Sequence, residues 1–587
     1  MIICDVDERK FIGLRWRDEN GKRRERRVRY EDFNPYFWIK DNERKYSSAA
    51  FSLRRGSPKY DLSVNYSDEA VSLDGEKLTK VTWSPADNRA KNTVSKLWNE
   101  TFEADVPIHH RYAVDEMQSI EEYDLRKWYW DMEWLPDDHD YKGAITCIVV
   151  YDNFGIKLNP EDPMDMFNPD YETEDIGKYT TYVWFPHYQA TDEEHEKLPI
   201  MQYPSRNDGV RIFESEREML EEFIHQIEHT DPDMLISWFG SKFDLPKLIE
   251  RAVHNGIDAR RLSPYGVVDG VYFNDGIKFS NRSYSPISQP IKGRITLNLD
   301  LAFERQWNDA QRGTLPSLAL DYISENVLGD KKLVSEKFPD KNEFFARGWL
   351  EDTATYCEYA QKDVELLVRL DEENFTSEAI ISLQRLIVAP FDACFYASHM
   401  GSIYFMRNAW WKAPSKVKGK KVDYQGAMIY NPESEGTNGL HLGVAAFDFA
   451  GLYPSMMIAR NISWETKSEE PTEFAVNIKT PRDFSECLEE RYIYFKTDRL
   501  GLLPKAVLSL KSLRDTYKKK MYAAKTKEEK MKWNNNQMAV KRLMASFYGI
   551  IGYQGFGWAD VDLAASITAS AREAIREAAR LVKEMDA

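Results

Sequence analysis

Between Lys127 and Leu370 the apolar residues recur with two different periods, and that alternation limits the possible folds more than any other feature of the chain. Strand-length apolar and aromatic runs fill Lys127 to Tyr151 and end at Asn153-Phe154-Gly155, a hairpin-type turn. Glu214 to Arg251 reads as helix, strand, helix, and Leu350 to Leu370 carries helical spacing. Strands interleaved with helices predict an α/β domain for this middle part. It is not the whole protein: 587 residues exceed a single hydrophobic core, and at roughly 100–200 residues per domain the chain is multidomain.

On either side the pattern changes. Two strand-type runs, Phe11 to Arg17 and Arg24 to Tyr30, flank Asn20-Gly21, a favoured hairpin turn, so the N-terminal region is β-rich. Beyond Pro390, an apolar strand Val444 to Phe447 leads through a turn into a helix ending near Ala459. Pro504 suits the first turn of a long helix to about Thr526, and a second runs from Glu528 through Tyr548, which predicts a helical hairpin. A last helix is expected from Ala569 to Glu584.

The net charge of −17 argues against a phosphate-rich partner, but the sign reverses between Gly501 and Gly549. Lys505, Lys511, Arg514, Lys518, Lys519, Lys520 and further basic residues there face only Asp515, Glu528 and Glu529. Local basic charge in an acidic chain suits an enzyme that holds polyphosphate at one place and uses carboxylates for metals at another. Asp5, Asp7, Glu8, Arg9 and Lys10 exclude the apolar core of a signal peptide from the first residues. No apolar run is long enough to span a bilayer. Five scattered cysteines, Cys4, Cys147, Cys357, Cys394 and Cys487, speak against a disulfide framework or a structural zinc site. A reduced, cytoplasmic protein is expected, neither secreted nor membrane-bound.

Three carboxylate-bearing pieces stand out. Asp131 and Glu133, in Trp130-Asp131-Met132-Glu133, project from one face of a predicted strand. Asp231-Pro232-Asp233 precedes an apolar strand whose following turn offers Asp244 at a helix start. Tyr359 and Asp363 lie four apart on a helix and share a face. In this order, with Phe102 to Pro107 and Gly293-Arg294-Ile295, the pieces resemble the exonuclease motifs of family B DNA polymerases. The resemblance implies an RNase H-like 3′–5′ exonuclease domain. In it Asp131, Glu133, Asp244 and Asp363 would hold two Mg²⁺ or Mn²⁺ ions, and Tyr359 would orient the attacking water. Phe239 stands where the family usually has Asn.

Asp448 to Ser455 resembles the first palm motif of the same family, with Gly451 in place of the usual Ser. This implies that Asp448 is a catalytic metal ligand and that Tyr453 lies under the incoming sugar and excludes a 2′-hydroxyl. Tyr424-Gln425-Gly426-Ala427 resembles the short motif that touches template DNA, which points to Tyr424 and Gly426. Lys541 to Gly549 resembles the fingers motif, with Ala545 for the usual Asn. By this resemblance Arg514, Lys518 and Lys541 clamp a nucleoside triphosphate, Tyr548 packs near the nascent base pair, and Gly549 lies towards the DNA.

The family's third palm motif, an Asp-Thr-Asp turn bearing the second metal-binding carboxylate, is expected after the helix Ala569 to Glu584. The sequence there reads Met585-Asp586-Ala587, and Asp586 has no hairpin to aim it. The resemblance therefore implies the N-terminal part of a split or truncated polymerase, α/β and multidomain, with the thumb absent. The expected division is an N-terminal domain over 1–115, exonuclease over 116–372, first palm segment over 373–495, fingers over 496–550 and a palm return helix over 551–587. The implied partners are primer-template DNA, dNTPs, a second chain with the third motif and thumb, and a sliding clamp. Two alternatives stay open: an exonuclease with a vestigial polymerase half, and a non-catalytic DNA-binding scaffold.

Overall fold

Asn20-Gly21 turns the chain as its sequence predicts, with Gly21 at φ 73°, a left-handed backbone that glycine adopts without steric cost. Strands β1 (Ile2–Val6), β2 (Phe11–Arg17) and β3 (Arg23–Arg29) form a sheet in that order. Tyr30, expected to end the third strand, instead opens a helical turn, Tyr30–Phe33. Strands β4 (Tyr36–Lys40), β5 (Phe51–Ser52), β6 (Asp61–Val71) and β7 (Lys77–Ser84) follow as a separate sheet in the order β4-β7-β6-β5. The computed structural model describes residues 1–44, 51–52, 61–155, 178–186, 209–281, 283–309, 313–416, 423–428, 442–443, 448–449, 451–481, 488–553 and 555–585. The predicted strand Val444 to Phe447 lies outside the described residues, as does Asp586.

The chain divides into two compact units, each assembled from two separate stretches: Met1–Val28 with Ile120–Ile381, and Arg29–Ser119 with Ser382–Ala587. The first 115 residues are thus shared between the units.

The first unit is built on a six-stranded sheet of β8 (Lys127–Trp134), β9 (Ile145–Asp152), β10 (Tyr179–Trp184), β11 (Val210–Phe213), β12 (Met234–Ser237) and β15 (Ile295–Asn298). The order is β11-β10-β9-β8-β12-β15. β8, β9 and β10 pair antiparallel, whereas β12 lies parallel to both β8 and β15. A small hairpin, β13 (Val271–Phe273) and β14 (Ile277–Phe279), separates β12 from β15 in sequence. Every residue of β9 is buried, which is what a central strand covered on both faces requires.

Alternation along β8 sorts its side chains. Trp128 and Trp130 meet Phe223 of the helix Glu216–Thr230, each at 6.1 Å between ring centroids. Tyr129, on the opposite face with Asp131 and Glu133, donates its hydroxyl to Asp371 of the helix Thr353–Asn374. The pleat therefore sends both carboxylates towards that second helix.

The N-terminal sheet is fastened to this unit by arginines. Asp231 accepts from Arg15 at 2.7 Å, Arg23 at 2.8 Å and Arg294 at 2.6 Å, and Asp233 accepts from Arg17 at 2.8 Å and from Arg23. The Arg126 backbone N–H also donates to Asp233, at 2.9 Å. Asp231 and Asp233, counted with the second carboxylate piece in the sequence, are thus structural anchors.

The second unit packs the helix Ala397–Asn408 against the second helix of an antiparallel pair, Leu502–Ala523 and Lys527–Ile551. Phe405 meets Phe547 at 4.9 Å, Trp464 at 5.1 Å and Trp558 at 5.6 Å. The Thr526 hydroxyl accepts from the Glu529 N–H and caps the second helix of the pair. β16 (Lys467–Ser468), β17 (Phe474–Pro481) and β18 (Leu488–Phe495) form a sheet in the order β16-β18-β17. The last helix begins at Val561, about two turns earlier than expected, because Asp560 caps it through the N–H groups of Asp562 and Leu563. Among the described residues no helix is long and apolar enough to cross a membrane.

Candidate active site

In the first unit Asp131, Glu133, Asp244, Tyr359 and Asp363 all line one cleft of about 390 Å³. They arrive from three elements, one strand and two helices. β8 supplies Asp131 and Glu133, the helix Thr353–Asn374 supplies Tyr359 and Asp363, and Asp244 is the first residue of the helix Asp244–His254. The turn into that last helix depends on Gly240, where a Cβ would fall 1.7 Å from Ser237 Oγ and 2.8 Å from Ser237 Cβ. One carboxylate oxygen each from Asp131, Glu133 and Asp363 lies within 4.8 Å of the others.

These acids are costly in the ion-free state. Burial, then the charges of Asp244, Asp363 and Glu133, pushes Asp131 well above the ordinary carboxylate range. Burial and Asp363 push Glu133 up to about 8, and burial pushes Asp244 up to about 7. Asp363 is also raised by burial, although Lys332 opposes the shift. Nothing in the sequence marks Lys332, which sits in an irregular segment without a motif. Its ammonium pairs with Asp363 Oδ2 and lies 3.4 Å from the Tyr359 hydroxyl. Asp363 Oδ1 is buried with no hydrogen-bond partner among the described residues. An all-oxygen donor set, mutual repulsion and an unsatisfied buried oxygen fit a divalent hard cation.

Aromatic side chains form the rest of the wall. Trp238, Phe239, Phe243 and Phe345 line the cleft, with Phe239 6.3 Å from both Trp238 and Phe243 between ring centroids. The departure at Phe239 therefore falls on the cleft itself.

In the second unit the structure gathers some of the expected residues. Tyr453 and Tyr548 lie 4.3 Å apart between ring centroids, and the Tyr424 and Tyr548 hydroxyls are 3.4 Å apart. The segment after Tyr424 is held by the last helix: Arg572 donates to the Gln425 and Gly426 carbonyls at 2.7 and 2.5 Å, and Thr568 to that of Gln425 at 2.9 Å. Neither Thr568 nor Arg572 carried a signal in the sequence. Gly451 has φ 70° and immediately precedes the helix Leu452–Ala459. A left-handed conformation gives a physical reason for glycine where the resembling motif has serine.

Asp448 is exposed, as are Ala545 and Gly549, and a Cβ at Gly549 would meet open space. Across the helical pair Arg514 donates to Gln537 at 3.1 Å, and Tyr517 stacks on Trp533 at 5.7 Å. These contacts fix an antiparallel register. At 1.5 Å per residue, Lys541 and Lys518 then lie about 6 Å along the axis on opposite sides of Arg514. The three basic residues are spread along the hairpin rather than clustered at one level.

Comparison with known proteins gives consistent results. Residues 395–587 match the model of DNA polymerase family B, and residues 59–308 match that of the DNA polymerase family B exonuclease domain. A DNA polymerase of Pyrococcus glycovorans is 30% identical over an alignment of 385 positions that covers 62% of this chain and 44% of that protein. The DNA polymerase delta catalytic subunit of Oryza sativa subsp. japonica is 26% identical over 400 residues, 64% of this chain and 34% of that one. The chain thus spans less than half the length of these relatives. In fold it is similar to the family B DNA polymerase of Pyrobaculum calidifontis, with a TM-score of 0.66 at 18% identity over 98% of this chain and 70% of that one.

Proposed function

Because the chain belongs to DNA polymerase family B, we propose that its first unit is a metal-dependent 3′–5′ exonuclease on DNA and that its second unit holds part of a template-directed nucleotidyl-transfer site. The observation that carries the nuclease reading is the cleft that gathers four raised carboxylates, with Lys332 and Lys341 in its wall. Asp131, Glu133, Asp244 and Asp363 would hold two Mg²⁺ or Mn²⁺ ions. Such ions supply acidification of an attacking water and charge stabilisation of the departing 3′-oxygen. Burial keeps the Tyr359 hydroxyl protonated well beyond neutral pH, so it can position that water by hydrogen bonding. Phe239 and the exposed Phe243 offer faces on which terminal bases of a single strand can stack.

In the second unit Asp448 would be one of two metal-binding carboxylates, with Arg514, Lys518 and Lys541 along the triphosphate and Tyr453 under the sugar. Tyr548 would lie near the nascent pair, and Tyr424, Gly426 and Gly549 near DNA. The second carboxylate and a thumb would come from further polypeptide carrying an Asp-Thr-Asp turn, in this reading a second chain. A sliding clamp would be a further partner.

The test has two arms. With Mg²⁺ or Mn²⁺ the chain should shorten 5′-labelled single-stranded DNA stepwise from its 3′ end, and absence of metal-dependent shortening would overturn the nuclease reading. Primer extension should require both this chain and the polypeptide bearing the third motif and thumb, and Asp448→Ala in the mixture should abolish it. Efficient extension by residues 1–587 alone would refute the divided site. Failure of the mixture with nuclease intact would favour the exonuclease-only alternative. In the active mixture Tyr453→Ala should raise ribonucleotide incorporation roughly tenfold or more relative to deoxynucleotide, as read by single-nucleotide kinetics.

A further inference from the structure

The second unit contains a cluster that neither reaction uses. His109 and His110 lie in the first turn of the helix Ile108–Glu116, and Asp392 lies in the short turn Phe391–Phe395. His110 Nε2 is 2.9 Å from Asp392 Oδ2, and His109 Nε2 is 3.2 and 3.3 Å from the two oxygens of the same carboxylate. One ligand atom from each of the three residues lies within 4.8 Å of the others. A third imidazole, His399 of the helix Ala397–Asn408, stands 5.3 Å from the His110 ring between centroids. Its Nδ1 is buried and has no hydrogen-bond partner among the described residues.

We propose that His109, His110 and Asp392 bind one divalent transition-metal ion of the zinc class. Zinc bonds to imidazole nitrogen and carboxylate oxygen of about 2.0–2.2 Å place tetrahedral ligands roughly 3.3 Å apart. The His–Asp separations here are already within a few tenths of an ångström of that spacing. Mixed imidazole and carboxylate donors suit zinc, whereas magnesium prefers oxygen. The His109 and His110 side chains are 13% and 3% exposed, so an ion would be partly shielded from water.

The surroundings are rigid enough to hold such a site. Arg407, on the same helix as His399, donates to the carbonyls of Ala113, Met117 and Val388. The ion would join residues 109–110 to residue 392, which belong to the two separate stretches that make up this unit. Its role is therefore structural: a cross-link closing a very long loop, of the kind that constrains the unfolded chain most.

The experiment uses the whole chain, dialysed against Zn²⁺ in excess Mg²⁺ so that oxygen-rich sites are occupied by the harder ion. Metal is counted by plasma mass spectrometry. About one equivalent of zinc should be retained, and His109→Ala with His110→Ala should weaken retention by roughly 100-fold or more. Asp131→Ala with Glu133→Ala should leave it unchanged. Since the histidine variant can fail to fold, the wild-type chain is also loaded with Co²⁺. Visible d–d absorption and imidazole scattering in X-ray absorption are expected. Lack of retained metal, a cobalt site without imidazole, or loss of zinc only in the Asp131/Glu133 variant would overturn the proposal.

Discussion

The first unit carries two groups of acidic side chains that differ in almost every electrostatic respect. At Asp231 and Asp233, guanidinium groups of Arg15, Arg17, Arg23 and Arg294 approach directly. Arg294, Arg15 and Arg23 overcome the effect of burial and hold Asp231 well below the ordinary carboxylate range. In the cleft Lys332 pairs with Asp363, and all four carboxylates are nevertheless raised. The sequence alone presents both as acidic pairs beside apolar strands. A compensated group holds two pieces of backbone together; an uncompensated one is a poor use of acid residues unless a cation arrives from solution.

The largest expected separation between the two groups is in catalysis. Asp131→Ala with Glu133→Ala should reduce metal-dependent shortening of single-stranded DNA by roughly 10³-fold or more, with the fold intact by circular dichroism. Residual activity near wild type would erase the distinction drawn here. The opposite pattern is expected at Asp233, whose side chain is fully buried between Arg17 and Arg23. Asp233→Ala strands those charges and should cost about 3–5 kcal/mol in denaturant unfolding. A loss below about 1 kcal/mol would mean that the arginine group is not an anchor.

The pH dependence should also differ in sign. Glu133 moves from 4.5 to about 8 on folding and Asp244 from 3.8 to about 7. Both bind protons more tightly when folded. In metal-free protein their contribution is therefore full below about pH 4 and is lost as the pH rises through 7 and 8. Asp231, shifted downward from 3.8, contributes stability above that value and loses it as the pH falls. Glu133→Gln should accordingly raise metal-free stability at pH 8 by on the order of 2 kcal/mol and have little effect near pH 4, measured by unfolding across that range. An identical pH slope in the variant would remove the cleft as its source.

The smallest effect concerns Lys332. Lys332→Met removes a cation that competes for the same oxygens, so the Mg²⁺ concentration for half-maximal nuclease activity should fall by about threefold. A rise would indicate that the lysine assists the metals instead of competing with them.

What could be read from the sequence follows from the range of each interaction. The alternation in Trp130-Asp131-Met132-Glu133 and the four-residue step from Tyr359 to Asp363 are local, and both appear on the expected elements. The helical hairpin was legible for the same reason, with ends displaced by one to three residues. Lys332 reaches Asp363 across 31 positions from a segment with no periodicity, and His110 reaches Asp392 across 282. Nothing near either residue announces its partner. Asp231 stands in the same sequence piece as Asp244, and nothing beside it gives a hint of its arginines more than 200 positions earlier.

That last separation bears on how the protein is made. Arg15 finds Gly293 at a distance of 278 positions in the chain, and Arg294 completes the same group. A ribosome adding roughly 5–20 residues per second needs on the order of 15–60 s to cover that interval. For the first three quarters or so of that time the arginines of β2 and β3 lack Asp231 and Asp233, which lie 208 to 216 positions further along the chain. The residues that follow, 29–119, wait longer still, since the rest of their unit begins at Ser382. Synthesis of this molecule therefore proceeds by holding its opening segments in reserve, and nascent chains arrested before and after residue 294 should differ sharply in how readily a protease cuts within the first 28 residues.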